Sequence, residues 1–174
     1  MARLEIGAVR CCANSAHTRI GELLALGLSW LGNALIYPLF SLATLLIWGS
    51  SAIFAVALGA INIVVLHLCY PAMKRFFSRP RPFRADPKLH PLLPVLDEYS
   101  FPSGHVMTLT GVLVPVAQFH PASSGYLVAL WAAMGWARMA SAHHYPSDIL
   151  AGTALALLVA IGMSEIGVLA VAAF

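Results

Sequence analysis

From Ala52 to Tyr70, nineteen consecutive residues carry no charged side chain. A helix of about 20 mostly apolar residues crosses the hydrocarbon core of a bilayer and satisfies its own backbone polar groups there. The run therefore predicts a transmembrane helix, and the rest of the chain must fold in the same solvent.

Four more apolar runs fit that frame. Asn33 to Trp48 is shorter and also uncharged, with Gly49-Ser50-Ser51 as a tight turn before the next span. Val106 to Phe119 is opened by Pro102-Ser103-Gly104. Tyr126 to Ala137 follows the turn His120–Gly125 and is expected to run on towards Ser141. Ile149 to Met163 is opened by Tyr145-Pro146-Ser147-Asp148. Thr18 to Leu31 is apolar but carries Arg19 and Glu22 at its start, which favours a helix lying in the membrane interface over a sixth span. No defensible role follows from sequence for the apolar tail Ile166–Phe174.

Composition agrees. Hydrophobic residues make up 60% of the 174-residue chain, charged residues 10%, and the mean hydropathy is +0.82. A soluble domain carries roughly 25% charged residues, so a water-facing surface is excluded. The expected fold is all-α, an integral membrane bundle of five to six helices forming one domain over 1–174. Within it, 1–31 is an N-terminal segment with the interfacial helix, 33–165 is the core, and 83–101 is a polar connection. Four prolines between Pro82 and Pro94, with Asp86, Asp97 and Glu98, make that connection either an ordered cap or substrate-access loop, or a plain surface loop. Arg10, His17, Arg19 and Glu22 interrupt any apolar core of a cleavable signal.

Charge placement says more than net charge. All ten Lys and Arg lie in the first nineteen residues, in the stretch 74–88, and at position 138. Several abut apolar spans instead of forming a soluble basic face, so nucleic acid is not the expected partner. With antiparallel neighbours, the ends of spans two and four and the starts of spans three and five fall on one membrane face. Every polar motif of the chain lies at one of those four ends.

The motifs suit phosphate. A phosphate ester spreads negative charge over its oxygens in the transition state, and Lys74, Arg81 and Arg138 offer compensating cations. Arg75 and Arg79 are expected to anchor the end of span two near lipid headgroups. Ser103 is a good N-cap, the helix start it opens attracts anions, and Gly104 lets a phosphate approach the backbone. His105, one residue into that helix, is a candidate general acid. His144 and Asp148 are four apart and share a face if the segment is helical. The carboxylate then orients the imidazole as a nucleophile. His143 stands five from Asp148 and is assigned to packing or to the site rim. His67, inside span two, is expected to be a satisfied buried histidine. Cys11, Cys12 and Cys69 show no metal or disulfide spacing. A site rich in cations with one firmly placed carboxylate does not suit two-metal chemistry, so no metal and no cofactor are expected.

These residues resemble the type 2 phosphatidic acid phosphatases, whose pattern is K-x6-R-P, then P-S-G-H, then S-R-x5-H-x3-D. Lys74 to Arg81-Pro82 matches the first element, Pro102–His105 the second, and Arg138, His144 and Asp148 the third, with Ala137 in place of the serine. The resemblance covers about residues 30 to 165. It implies a helical bundle in which His144 attacks phosphorus, Asp148 holds His144, and His105 protonates the leaving group. Lys74, Arg81, Ser103, Gly104 and Arg138 would hold the phosphate. The implied substrate is a lipid phosphate: phosphatidylglycerophosphate, phosphatidic acid, undecaprenyl pyrophosphate or the 1-phosphate of lipid A. Two alternatives carry less weight. A vanadate-dependent haloperoxidase resembles large soluble relatives, and a lipid-phosphate binder or transporter needs neither nucleophile nor acid. Positive-inside bias would turn the motif face to the cytoplasm. Because several of its cations are site groups, the expected location is the bacterial inner membrane with the site on the periplasmic face.

Overall fold

The computed structural model describes the backbone of residues 2–172 and the side chains of residues 3–168. In chain order the helices are α1 (Ala2–Ser15), α2 (Arg19–Leu31), α3 (Ile36–Trp48), α4 (Ile53–Phe77), the one-turn α5 (Pro82–Ala85), α6 (Gly104–Phe119), α7 (Ser124–Ala140) and α8 (Pro146–Ala172). Among the described residues there is no β-strand. Helices α3, α4, α6, α7 and α8 are the five expected spans, and α2 is the apolar segment before them.

Two boundaries and one whole helix differ from expectation. At 25 residues, α4 is roughly 37 Å long at 1.5 Å per residue. It continues past Tyr70 and carries Lys74 in its last turn. It stops where Ser78 takes a left-handed φ of 44° and Pro80 and Pro82 follow. Helix α8 runs 27 residues, so the tail beyond Glu165 is its continuation as far as Ala172. Phe174, the end of that tail, lies outside the described residues. Helix α1, 14 residues long, was not expected, because its sequence mixes charges with small residues. Helices α2 and α3, with 13 residues each, are both roughly 20 Å long and short for crossing a bilayer alone, but α3 continues through Gly49–Ala52 into α4 as one apolar stretch.

The stretches Ile36–Ala85 and Pro146–Val168 are long and apolar enough to span a membrane, and α6 is a shorter apolar helix. Large apolar side chains such as Leu42, Leu46, Val64, Leu68, Leu158 and Ile166 point outward and stay exposed. Such a surface suits lipid and not water. Inside, α6 is the central helix. It packs on α4 and on α8, with α7 alongside, and ten of its sixteen residues are buried.

Small residues set how closely these helices approach. A Cβ on Gly152 of α8 would lie 2.8 Å from Ser103 O, and one on Gly59 of α4 would lie 3.5 Å from Val112 Cα. Pro115 inside α6 has no N–H to give to the carbonyl of Gly111, four residues earlier. Asn62 of α4 supplies the missing donor, its Nδ2 bonding Gly111 O at 2.9 Å. This bond is fully buried, and it links α4 to the central helix.

Replacing Asn62 by Leu should leave Gly111 O without a donor and cost about 1–3 kcal/mol. Pro115→Ala restores the helix's own donor and should recover part of that loss. Thermal unfolding of the single and double variants in detergent checks both expectations.

Candidate active site

The three motifs meet at one end of the bundle because of two direct links. Ser103 N donates to Asp148 O at 3.0 Å, joining the start of α6 to the start of α8. Arg81 Nη1 donates to His143 O at 3.0 Å, joining the segment after α4 to the α7–α8 turn. Together they border a cavity of about 530 Å³ lined by Arg81, Gly104, His105, Arg138, His143 and His144, with Trp30, Asn33, His67, Tyr70, Leu96 and Asp97 among its other walls. Lys74, Ser103 and Asp148 stand just behind this lining, each almost wholly buried.

His144 and Asp148 come together, but not as neighbours on one helix. Helix α8 begins only at Pro146, so His144 belongs to the preceding turn and Asp148 to the first turn of the helix. The Asp148 Oδ2 atom accepts from Tyr145 N at 2.8 Å and lies 3.5 Å from His144 Nδ1. That separation is an electrostatic contact, too long and poorly aligned for a hydrogen bond, and His144 Nδ1 has no hydrogen-bond partner. Catalytic hydrogen bonds are often long before substrate binds. The turn is bent by Ala142, whose φ of 54° is left-handed, a conformation typical of functional sites. Burial, reinforced by Arg138 and Arg81, holds His144 well below the ordinary histidine range. Its imidazole is therefore neutral, the form with a nucleophilic nitrogen.

His143 is occupied on both sides. Its Nδ1 pairs with Arg138 Nη2, and its Nε2 donates to Leu93 O at 3.0 Å. Burial, with Arg138 and Arg81 beside it, pushes its pKa down to about 3. Both nitrogens are committed, so His143 fixes Arg138 and the loop and is not free to attack. The other histidine of the site, His105, sits in the first turn of α6 with Nε2 2.9 Å from Asn33 Oδ1. The turn between α2 and α3 approaches so closely that a Cβ on Gly32 would lie 2.7 Å from His105 Cδ2.

Ser103 occupies the N-cap position, but its hydroxyl makes no capping bond. Ser103 Oγ and Arg138 Nε are buried and bonded to no protein group. Gly104 has a packing reason beyond phosphate approach, since a Cβ there would meet Tyr70 Oη at 2.6 Å.

The counter-ion of the site is Asp97, which the sequence reading placed only in the polar connection. Its Oδ1 accepts from Lys74 Nζ at 2.7 Å and from Arg81 Nη2 at 2.6 Å, and its Oδ2 accepts from Tyr70 Oη at 2.8 Å. Two buried cations side by side need such a partner. Charge balance around Lys74 and Arg81 was the available signal. Burial alone would raise the Asp97 carboxyl, but the bond and charge of Lys74, the bond from Tyr70 and the charge of Arg81 together outweigh it and hold the pKa below the usual value of 3.8. Leu93, Pro94 and Leu96 of the same connection line the cavity.

Two further residues differ from expectation. Arg79, assigned to headgroups, instead turns inward. It pairs with Asp148 Oδ1 at 2.6 Å and with Glu5 Oε2 at 2.7 Å. His67 is exposed on α4 instead of buried. Its Nδ1 lies 2.9 Å from Ile63 O, and the residue lines the cavity. Arg75 is exposed, with Nε on Pro71 O.

A family model described as the PAP2 superfamily matches residues 48–169. In sequence, no curated protein matches significantly. Among solved structures, LpxE of Aquifex aeolicus superposes with a TM-score of 0.74 at 21% identity, covering 93% of this chain and 95% of that one. A protein described as the first transmembrane PAP2 type phosphatidylglycerolphosphate phosphatase from Bacillus subtilis gives 0.65 at 17% identity, covering 92% and 84%. At these identities the two structures establish a shared helical fold.

A depressed carboxyl contributes stability that is present above its ordinary pKa and is lost as pH falls through the lower, folded value. The Asp97 anchorage should therefore hold at neutral pH and fail in acid, below about pH 4. Hydrogen exchange across residues 93–100 should rise there in the wild type. In Asp97→Asn it should already be high at pH 7.

Proposed function

Because the chain belongs to the PAP2 superfamily, we propose that it is a membrane lipid phosphatase. It hydrolyses a phosphate monoester or pyrophosphate of a lipid without a metal and through a phosphohistidine. The observation that carries this reading is one cavity, at one end of an apolar bundle, lined by a neutral His144, by His105, and by the cations Arg81 and Arg138.

The chemistry follows from the geometry. Asp148 faces His144 Nδ1, so Nε2 is the nitrogen that attacks phosphorus. The P–N bond forms as the P–O bond to the lipid breaks, and His105 gives its proton to the leaving oxygen. A water then loses a proton to His105, attacks the phosphohistidine, releases inorganic phosphate and restores His144. Arg138, Arg81 and Lys74 offset the charge on the phosphoryl oxygens. Ser103 Oγ, Arg138 Nε and the backbone N–H groups of the α6 start, opened by Gly104, donate to them. Asp97 shares Lys74 and Arg81 with the phosphate.

Lipid substrates suit the surroundings of the cavity. Trp30 and Leu96 line it and are also widely exposed, which gives an apolar chain a surface to lie on at the cavity mouth. Phosphatidylglycerophosphate, phosphatidic acid, undecaprenyl pyrophosphate and the 1-phosphate of lipid A all present a phosphate on such an anchor, and the Bacillus subtilis neighbour is described as acting on the first. The bacterial inner membrane, with the site facing the periplasm, is the location we favour. Lys74, Arg79, Arg81 and Arg138 are held within the site, so they serve chemistry before topology.

Detergent-purified protein with chelator present should release phosphate from one or more lipids of such a panel, and vanadate should inhibit. His144→Ala should lose roughly 10³-fold or more of that rate while keeping its thermal midpoint. Undiminished release in the variant, or none from well-folded wild type, would overturn the reading.

A further inference from the structure

Asp148 is fully buried, and its two oxygens do different work. Oδ2 faces His144 and Tyr145 N. Oδ1 accepts from Arg79 Nη1 at 2.6 Å, and the mechanism above gives that bond no role. Arg79 is itself tightly defined. The same Nη1 reaches Ser147 Oγ at 2.6 Å, Nη2 reaches Glu5 Oε2 at 2.7 Å, and the guanidinium lies 3.9 Å from the centre of the Tyr145 ring. Glu5 has a second attachment, since its Oε1 accepts from Ser147 N at 3.2 Å, in the first turn of α8. Glu5 belongs to α1, outside residues 48–169 matched by the family model.

We infer that Arg79 and Glu5 are positioning residues for the nucleophile, forming a relay Glu5–Arg79–Asp148–His144 that enters the site from the N-terminal helix. This inference rests on the proposed phosphatase reading. A carboxylate removed from water needs a cation or donors on each oxygen. Arg79 meets that need for Oδ1, which leaves Oδ2 directed at His144. A planar guanidinium can hold Asp148 and Glu5 at once in fixed directions, whereas an ammonium is a single point charge. Glu5 completes the chain by balancing the guanidinium and pinning it to the α8 start. Burial alone would raise the Glu5 carboxyl, but the bonds from Ser147 and Arg79 outweigh it and keep it below its ordinary value. Such supporting contacts hold reacting groups within the narrow geometry that catalysis needs.

A purely structural pin for α1 would use the same bonds, so the test must separate the two. The charged and titratable groups around Asp148 are Arg79 and Lys74 from α4 and the turn after it, Glu5 from α1, and His144 and Tyr145 from the turn before α8. Loss of Arg79 removes the cation in direct contact with the carboxylate, so Asp148 would take up a proton at higher pH.

The experiment measures kcat, KM and the pH profile of kcat with full-length protein in detergent, together with thermal midpoints. The variants are Glu5→Gln, Arg79→Lys, Arg79→Gln and Glu5→Gln/Arg79→Gln, with His144→Ala as the inactive control. Glu5→Gln should lower kcat about tenfold and Arg79→Gln about 100-fold, with KM within about twofold. The acidic limb of the Arg79→Gln profile should move to higher pH. Arg79→Lys should restore the limb but only part of kcat. The double variant should be no slower than Arg79→Gln, because Glu5 acts through Arg79. If Arg79→Gln does not fold, Glu5→Gln and Arg79→Lys decide alone. Wild-type kcat and profile in both, or losses confined to KM, would overturn the inference while leaving the phosphatase intact. A wild type that releases no phosphate, or an active His144→Ala, would instead remove the proposed function and the relay with it.

Discussion

Three cations, Lys74, Arg81 and Arg138, are 4%, 2% and 5% exposed at the end of an apolar bundle. Taking a charge out of water is costly unless it is paired and hydrogen-bonded. That constraint organises most of what surrounds them. Asp97 crosses from the polar connection to hold Lys74 and Arg81, His143 holds Arg138, and the carbonyls of Asp97, Tyr99 and His143 take further donors of Lys74 and Arg81. The connection between α5 and α6 is ordered because its carboxylate and carbonyls are needed there. A cluster of cations held in place in this way provides a fixed electrostatic field for an anion, with little rearrangement required on binding.

The bundle itself is built so that its most buried helix lies beneath the site. Helix α6 is buried along most of its length, and α4 and α8 approach it through Gly59, Gly111 and Gly152. The Asn62–Gly111 bond repairs the backbone gap left by Pro115. Peripheral elements then close the site from the sides. The turn between α2 and α3 brings Asn33 to His105, and α1 brings Glu5 to Arg79. The parts of the chain before residue 48 thus touch groups behind both histidines, although the family match begins only there.

Much of this was legible beforehand, for identifiable reasons. Helices crossing a membrane must be long and apolar, so α3, α4, α6, α7 and α8 were visible as runs. Their antiparallel order placed the motifs on one face. His105, His144 and Arg138 stood out because a polar group beside such runs is rare. Other features were hidden. Helix α1 has no apolar run and forms against α7 and α8. Arg79 looked like an interfacial anchor because its sequence neighbours are Arg75 and Arg81, and its partners lie 69 and 74 residues away. His67 looked like a buried group because it sits mid-span, yet it is exposed where α4 borders the cavity.

Composition and spacing alone settled the solvent of the fold and the order of its helices, and they singled out the side chains proposed here as reactive. Each of these depends on local composition and spacing. Packing in three dimensions set which cation meets which carboxylate, brought Asp97 and Arg79 to the site, and made His144 meet Asp148 across a turn instead of along a helix. Those outcomes follow from contacts between residues as far apart as Glu5 and Ser147, 142 positions along the chain. Such pairings arise when buried charges find partners as the helices pack, and no local pattern in the sequence encodes them.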